Sequence, residues 1–307
     1  MQDKVTKLLA RRFTVSVEVF PPRNGHPPGI MLDKLKKIER LKPDFVSITK
    51  GAMGSMRGGT VPIGYMIGAK YGLTPLVHFR SRDHGRREVE NLLVDHAYFG
   101  IKNILAVMGD PVEGEQKTIP KDRNRYASDL VKQIADMNRG FYLPLAGEKM
   151  RKGAPSDFCI GVAAYPEREP KEELKVMRAK VAAGADFAIT QMFFDAETYK
   201  SYVARMRKAG INIPIVAGIR PVTRPEHVEA AERIFKAKVP GALKRAIKGN
   251  PKAAKEACVD YTVELCRKVA AAGAPGVHLF ILNDVELARE IMDDVREAAG
   301  RPRRAAE

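Results

Sequence analysis

Glu18 stands inside the run Val15-Ser16-Val17-Glu18-Val19-Phe20, an unusual place for a carboxylate. A carboxyl group held in an apolar setting is desolvated, which raises its pKa. A Glu kept partly protonated near neutrality is suited to general acid catalysis, a role worth about 10²–10⁴ in rate. Asp110, in the open turn Met108-Gly109-Asp110-Pro111, would instead stay ionised and stabilise a developing cation. Other polar residues follow short apolar runs in the same way. Thr49 closes Phe45–Thr49, His78 closes Leu76-Val77-His78, and Tyr165 and Glu167 follow Ala163-Ala164. Gln191 follows Ile189-Thr190, and Leu282-Asn283 follow Phe280-Ile281.

Each residue also has a plain structural reading. A Glu in a strand is often paired with an Arg, and Gly-Asp-Pro is first a turn signal. His78 taken alone reads as a satisfied core histidine. The loop Gly51–Thr60 is rich in glycine but lacks the GxxxxGK[ST] phosphate-binding pattern. Paired carboxylates also serve glycoside hydrolysis, but sugar sites lean on aromatic platforms and the chain has no Trp. The case for a site therefore rests on the elements that position these groups together.

Short β-branched runs alternate with amphipathic segments along the chain. The spacing predicts strands at Phe13–Phe20, Asp44–Thr49, Thr74–Phe79, Asn103–Met108, Phe158–Ala164, Asp186–Thr190, Ile213–Ala217 and Gly276–Ile281. Between them Met31, Leu35 and Ile38 share a helical face, as do Val89, Leu92, Leu93 and Ala97. Leu174, Met177 and Val181 form a third stripe, stopped by Gly184. Strands alternating with helices indicate parallel βαβ units, and eight of them fit a (β/α)8 TIM barrel. An open doubly wound sheet would usually show a glycine fingerprint after its first strand, where this chain has Pro21-Pro22-Arg23. We expect a single domain over residues 1–307, with an insertion near 139–156 and extra helices near 241–272. In such a barrel the polar residues above all fall at the carboxyl ends of strands, the mouth that carries barrel active sites.

Composition narrows the partners. The 53 basic and 37 acidic residues give a net charge of +16. The basic residues are spread over many segments without interleaved aromatics, so steering of anionic small molecules is favoured over nucleic-acid binding. No apolar run is long enough to cross a membrane, and Met1–Arg12 lacks the apolar core of a secretory signal. A cytoplasmic protein is expected. Cys159, Cys258 and Cys266 show neither zinc nor disulfide spacing, so they read as buried small hydrophobes and no metal is expected.

The ordered motifs resemble the flavin-dependent methylenetetrahydrofolate reductases. They are Val17-Glu18-Val19-Phe20-Pro21-Pro22, Phe45–Thr49, Gly109-Asp110-Pro111, Tyr126-Ala127-Ser128-Asp129-Leu130, Ala163-Ala164-Tyr165-Pro166-Glu167 and Ala185–Asp195. The resemblance implies a barrel that holds a non-covalent flavin, normally FAD, which NAD(P)H reduces before the folate substrate takes its place. It implies Glu18 as the acid that opens the imidazolidine ring, and Asp110 as the residue that holds the pterin and favours the cation. Gln191 and Leu282 would contact substrate. Thr49, His78, Gly109, Asp110, Tyr126, Tyr165 and Lys180 would contact the flavin.

The chain departs from the enterobacterial pattern at four points. Met108 replaces an Arg and Glu169 a His near the flavin phosphates or adenosine, which leaves FMN, or a flavin-free variant, open beside FAD. Pro225 replaces an aromatic and Asp284 an Arg, which leaves the nicotinamide preference and the folate contacts open. A methanopterin-type substrate and a non-catalytic binding barrel are the alternatives. We expect a homo-oligomer, and related barrels of one-carbon pathways work with a small partner subunit. The chain ends with the barrel, so the regulatory domain of the animal enzymes is not expected.

Overall fold

The computed structural model describes residues 3–51, 58–109, 120–145, 149–248, 250–281 and 284–298. Eight parallel strands close into a ring: β1 (Thr14–Val19), β2 (Val46–Ile48), β3 (Pro75–Arg80), β4 (Asn103–Val107), β7 (Cys159–Ala164), β8 (Phe187–Thr190), β9 (Ile215–Ile219) and β10 (Gly276–Leu279). They neighbour one another in that order, and β10 returns to β1. The numbering skips two short strands, β5 (Phe141–Tyr142) and β6 (Arg151–Lys152), which pair antiparallel in the segment between β4 and β7.

Helices cover the ring. They are α2 (Gly29–Leu41), α3 (Thr60–Ala69), α4 (Arg86–Tyr98), α5 (Ala127–Asn138), α6 (Pro170–Ala183), α7 (Ala196–Lys208), α8 (Pro225–Phe235), α9 (Gly241–Ala246), α10 (Pro251–Ala271) and α11 (Val285–Ala298). Val15, Val17 and Val19 of β1 face outward into a large cluster with Leu35 and Ile38 of α2 and Ile291 and Val295 of α11. Because strand side chains alternate, Ser16 and Glu18 face the barrel interior. The lower interior is apolar, filled by Phe45, Leu76, Leu105, Phe187, Ile189 and Val216.

An element that sequence reading missed closes the floor. The basic leading segment contains a helix, α1 (Val5–Arg11), whose Val5, Leu8 and Leu9 pack into the interior cluster. Val5 N–H donates to Asn103 Oδ1 at 2.8 Å, at the first residue of β4. Among the described residues, α1 thus closes the end of the barrel opposite the carboxyl ends of the strands.

Four other expectations change. The seventh barrel strand, expected at Ile213–Ala217, runs over Ile215–Ile219, because Pro214 offers no N–H to a ladder and β10 pairs as far as Ile219. The third strand, expected at Thr74–Phe79, runs over Pro75–Arg80. On α4 the buried face is Val89, Glu90, Leu93 and His96, while Ala97 is exposed. The buried face of α6 is Glu173, Met177 and Lys180, with Leu174 and Val181 only half-buried. In both helices a buried polar residue has rotated the apolar stripe, and in both it is hydrogen-bonded.

Candidate active site

Glu18 is only 7% exposed, at the upper end of β1. Its surroundings are polar, which corrects the apolar setting expected from its neighbours in sequence. The β1–β2 register sets Glu18 opposite Ser47, whose hydroxyl donates to Glu18 Oε2 at 3.4 Å. His78 Nε2 lies 3.4 Å from the same oxygen and His278 Nε2 lies 4.0 Å away. Burial holds the His78 imidazole at a pKa of about 4, against the opposing pull of Glu18, so His78 is neutral near pH 7. It can exchange a hydrogen bond without adding a charge.

His278, on β10, ties the cluster together. Ser16 Oγ lies 2.8 Å from His278 Nδ1, and Ser47 Oγ lies 3.2 Å from His278 Nε2. Ser16 also donates to Val277 O at 3.1 Å, which uses its single proton and makes His278 Nδ1 the donor to Ser16. Ser47 Oγ therefore stands between the His278 imidazole and the Glu18 carboxylate.

Two arginines missed in the sequence also reach the mouth. Arg80 ends β3; its guanidinium bonds Asp83 and donates to Gly51 O at 3.4 Å. Its stem lies on Gly109, where a Cβ would fall 2.2 Å from Arg80 Cδ. Gly109 also has φ +92°, so glycine is required twice over. Arg220 follows β9 and is 7% exposed. Both were hidden because the strands that deliver them run further than their apolar runs suggest.

After β7 a second cluster supports the loop. Tyr165 N–H donates to Glu173 Oε1 at 2.8 Å, and the Arg168 guanidinium lies 4.3 Å from the Tyr165 ring centre. Lys180 is buried; its ammonium donates to Ala163 O at 2.7 Å and lies 5.6 Å from that ring. Burial lowers the Lys180 pKa to about 8, opposed by the Glu173 charge. Gln191 N–H donates to Ala164 O at 2.6 Å, and its side-chain oxygen accepts from Met192 N–H at 2.9 Å. Thr49 is buried at the end of β2, with its hydroxyl unpartnered. Tyr126 stands apart, 69% exposed before α5, where its N–H donates to Asp129 Oδ2 at 3.0 Å. Asp110 and Leu282 lie outside the described residues.

The methylenetetrahydrofolate reductase family model matches residues 4–296. The chain belongs to that family. A 5,10-methylenetetrahydrofolate reductase of Pectobacterium carotovorum is 30% identical over 292 residues, covering 92% of this chain and 90% of that protein. Methylenetetrahydrofolate reductase 1 of Schizosaccharomyces pombe is 31% identical over 284 residues, covering 89% of this chain. This member of the family spans only 44% of the yeast protein. An uncharacterised Clostridium thermocellum protein that binds two copies of 5-methyl-5,6,7,8-tetrahydrofolic acid superposes with a TM-score of 0.60. It covers 93% of this chain and 98% of its own at 16% identity, a likeness of fold alone. Barrel enzymes carry their active sites at the carboxyl ends of the strands, the end of the barrel at which Glu18 lies. Among the described residues no helix is long and apolar enough to cross a membrane.

Proposed function

We propose that this chain reduces 5,10-methylenetetrahydrofolate to 5-methyltetrahydrofolate, with NAD(P)H as electron donor and a bound flavin between the two. The observation that carries this reading is the buried Glu18, hydrogen-bonded by Ser47 at the mouth of a barrel of this family. A carboxyl group placed there can give its proton to a ring nitrogen of the imidazolidine as the ring C–N bond breaks. The product is an iminium cation on the other nitrogen, which is the species able to accept hydride. Ser47 and His278 lead away from Glu18 as the route by which its proton is replaced. Asp110 carries the negative charge assigned to the pterin and the cation, and Gln191 contacts the stacked substrate.

The lining fits a flavin. Among the described residues, Thr49 Oγ1, His78 Nε2, Arg80 Nε and Arg220 Nε are buried without a hydrogen-bond partner, and all stand at the mouth. Buried donors left unpaired are costly, so an acceptor-rich ligand is the natural complement. Thr49, His78, Gly109, Tyr126, Tyr165 and Lys180 would hold FAD, or FMN. A flavin bound there supplies two-electron chemistry that separates the dinucleotide and folate half-reactions.

The purified protein should be yellow, bleach with NADH or NADPH in the absence of oxygen, and recolour on adding 5,10-methylenetetrahydrofolate. A colourless protein that takes up neither FAD nor FMN defeats the flavin assignment. A flavoprotein that bleaches but is not recoloured by the folate defeats the substrate assignment.

A further inference from the structure

Arg220 differs from three arginines that are held by partners in the barrel. Arg168 meets Glu173 at 3.1 Å and Arg151 meets Glu90 at 2.8 Å, while Arg296 donates to Leu41 O at 2.7 Å and Lys42 O at 2.8 Å. Each has partners for its terminal nitrogens, although Arg296 Nε is itself buried without one. Arg220 is 7% exposed, its buried Nε has no partner, and no carboxylate stands in ion-pair range of it among the described residues. A guanidinium offers five N–H donors and accepts nothing.

Register fixes where those donors stand. Ile219 pairs with Leu279, and Leu279 pairs with Val17. The next residues, Arg220, Phe280 and Glu18, therefore sit at one height on three adjacent strands. Val216 faces the barrel interior, and Gly218 leaves room for its neighbours, since a Cβ there would lie 2.0 Å from Thr190 O and 2.8 Å from the Phe280 ring. By alternation Arg220 shares that interior face. Glu18 is the carboxylate whose charge favours the Arg220 cation, against the burial that opposes it.

A full anion beside Arg220 would meet the repulsion of Glu18. A neutral carbonyl oxygen would not, and it accepts from the guanidinium while the adjoining part of the ring reaches Glu18. Resting on the folate-reductase reading above, we propose that Arg220 is a specificity-determining residue that donates to a carbonyl oxygen of the substrate ring stacked beside Glu18. Two rings carry such an oxygen: the pterin amide and the nicotinamide carboxamide.

The test is equilibrium binding to the flavin-loaded protein, using ligands that cannot react. Calorimetry would follow 5-formyltetrahydrofolate in one arm and a tetrahydronicotinamide dinucleotide analogue in the other, for wild type, R220M and R220K. R220M should weaken at least one ligand by about tenfold to a hundredfold, the scale of a hydrogen bond from a charged donor, with R220K recovering part. A loss in the folate arm assigns the pterin oxygen, and a loss in the dinucleotide arm assigns the carboxamide. Thermal melts matching wild type exclude misfolding, and R220K keeps the charge if R220M melts early. Unchanged affinity for both ligands in R220M and R220K overturns the role of Arg220 alone. A wild type that binds neither ligand overturns the folate-reductase reading and this inference with it.

Discussion

The Ser47 hydroxyl lies 3.4 Å from Glu18 Oε2 and is the only group that touches both Glu18 and His278 through hydrogen bonds among the described residues. Two neighbouring strands hold the pair in register, so its spacing depends on the barrel and not on a loop. Ser47→Ala leaves that frame intact and removes the link. Folate reduction should slow by about tenfold while dinucleotide oxidation is unchanged, since proton positioning is a fraction of general-acid catalysis. Rapid-reaction measurement of both half-reactions across pH, with Ser47→Thr as the rescue variant, checks this. Equal slowing of both halves would make Ser47 a packing residue.

Glu18→Gln should keep flavin bleaching by NAD(P)H and lose about 10²–10⁴ in folate reduction. Glutamine retains the size and one acceptor but has no acidic proton to give. Full folate turnover in this variant would remove Glu18 as the acid.

Acid should destabilise the fold through two histidines. Burial holds both His78 and His96 at a pKa of about 4, against an ordinary value of 6.5. Below pH 6.5 the unfolded chain takes up protons that the folded chain refuses, so the stability is complete above that pH. It is lost as pH falls towards about 4, on the order of 3 kcal/mol for each histidine. Denaturant titrations at pH 7.5, 5.5 and 4.5 should show this slope, and His78→Asn should make it shallower. A slope unchanged by that substitution would mean His78 titrates normally.

Glu173→Ala should cost about 3 kcal/mol, because it strands buried partners rather than deleting a surface pair. Its carboxylate accepts from Tyr165 N–H at 2.8 Å, Tyr202 OH at 3.0 Å and Arg168 at 3.1 Å. Loss of the first contact frees the loop after β7, so flavin affinity should fall together with the melting temperature. Unfolding curves and flavin titration measure the two effects separately.

Gly109→Ala should destabilise by about 1–3 kcal/mol from its left-handed backbone alone. The added methyl also displaces Arg80. Arg80→Ala in the same chain should restore the part due to the clash and none of the backbone part, which a double-mutant cycle of melting curves resolves.

Much of the frame could be read in the residues, because apolar runs of strand length alternate with helical stripes and each leaves a local signal. Glu18 and Thr49 were visible for the same reason, as polar residues breaking or ending such runs. Ser47 and His278 were not. They are 231 residues apart, and within their own strands they look like ordinary filling. Arg220 was hidden by an error of two residues at the end of a strand, where pairing with β10 and not side-chain type sets the limit. Glu173 was hidden because a satisfied buried charge occupies a helix face that pattern reading reserves for apolar side chains, and Lys180 on the same face was named only through the family resemblance.

The short first helix bears on the order in which the barrel is completed. α1 leaves the ribosome before every strand on which it rests, and its packing partners extend to Val216. Val5, Leu8 and Leu9 must therefore wait, exposed, until most of the chain has followed. Contacts of such sequence separation form slowly because their loop-closure entropy is paid first. Docking of α1 is expected late in folding, and a fluorescent probe on that helix would time the closing of the barrel floor.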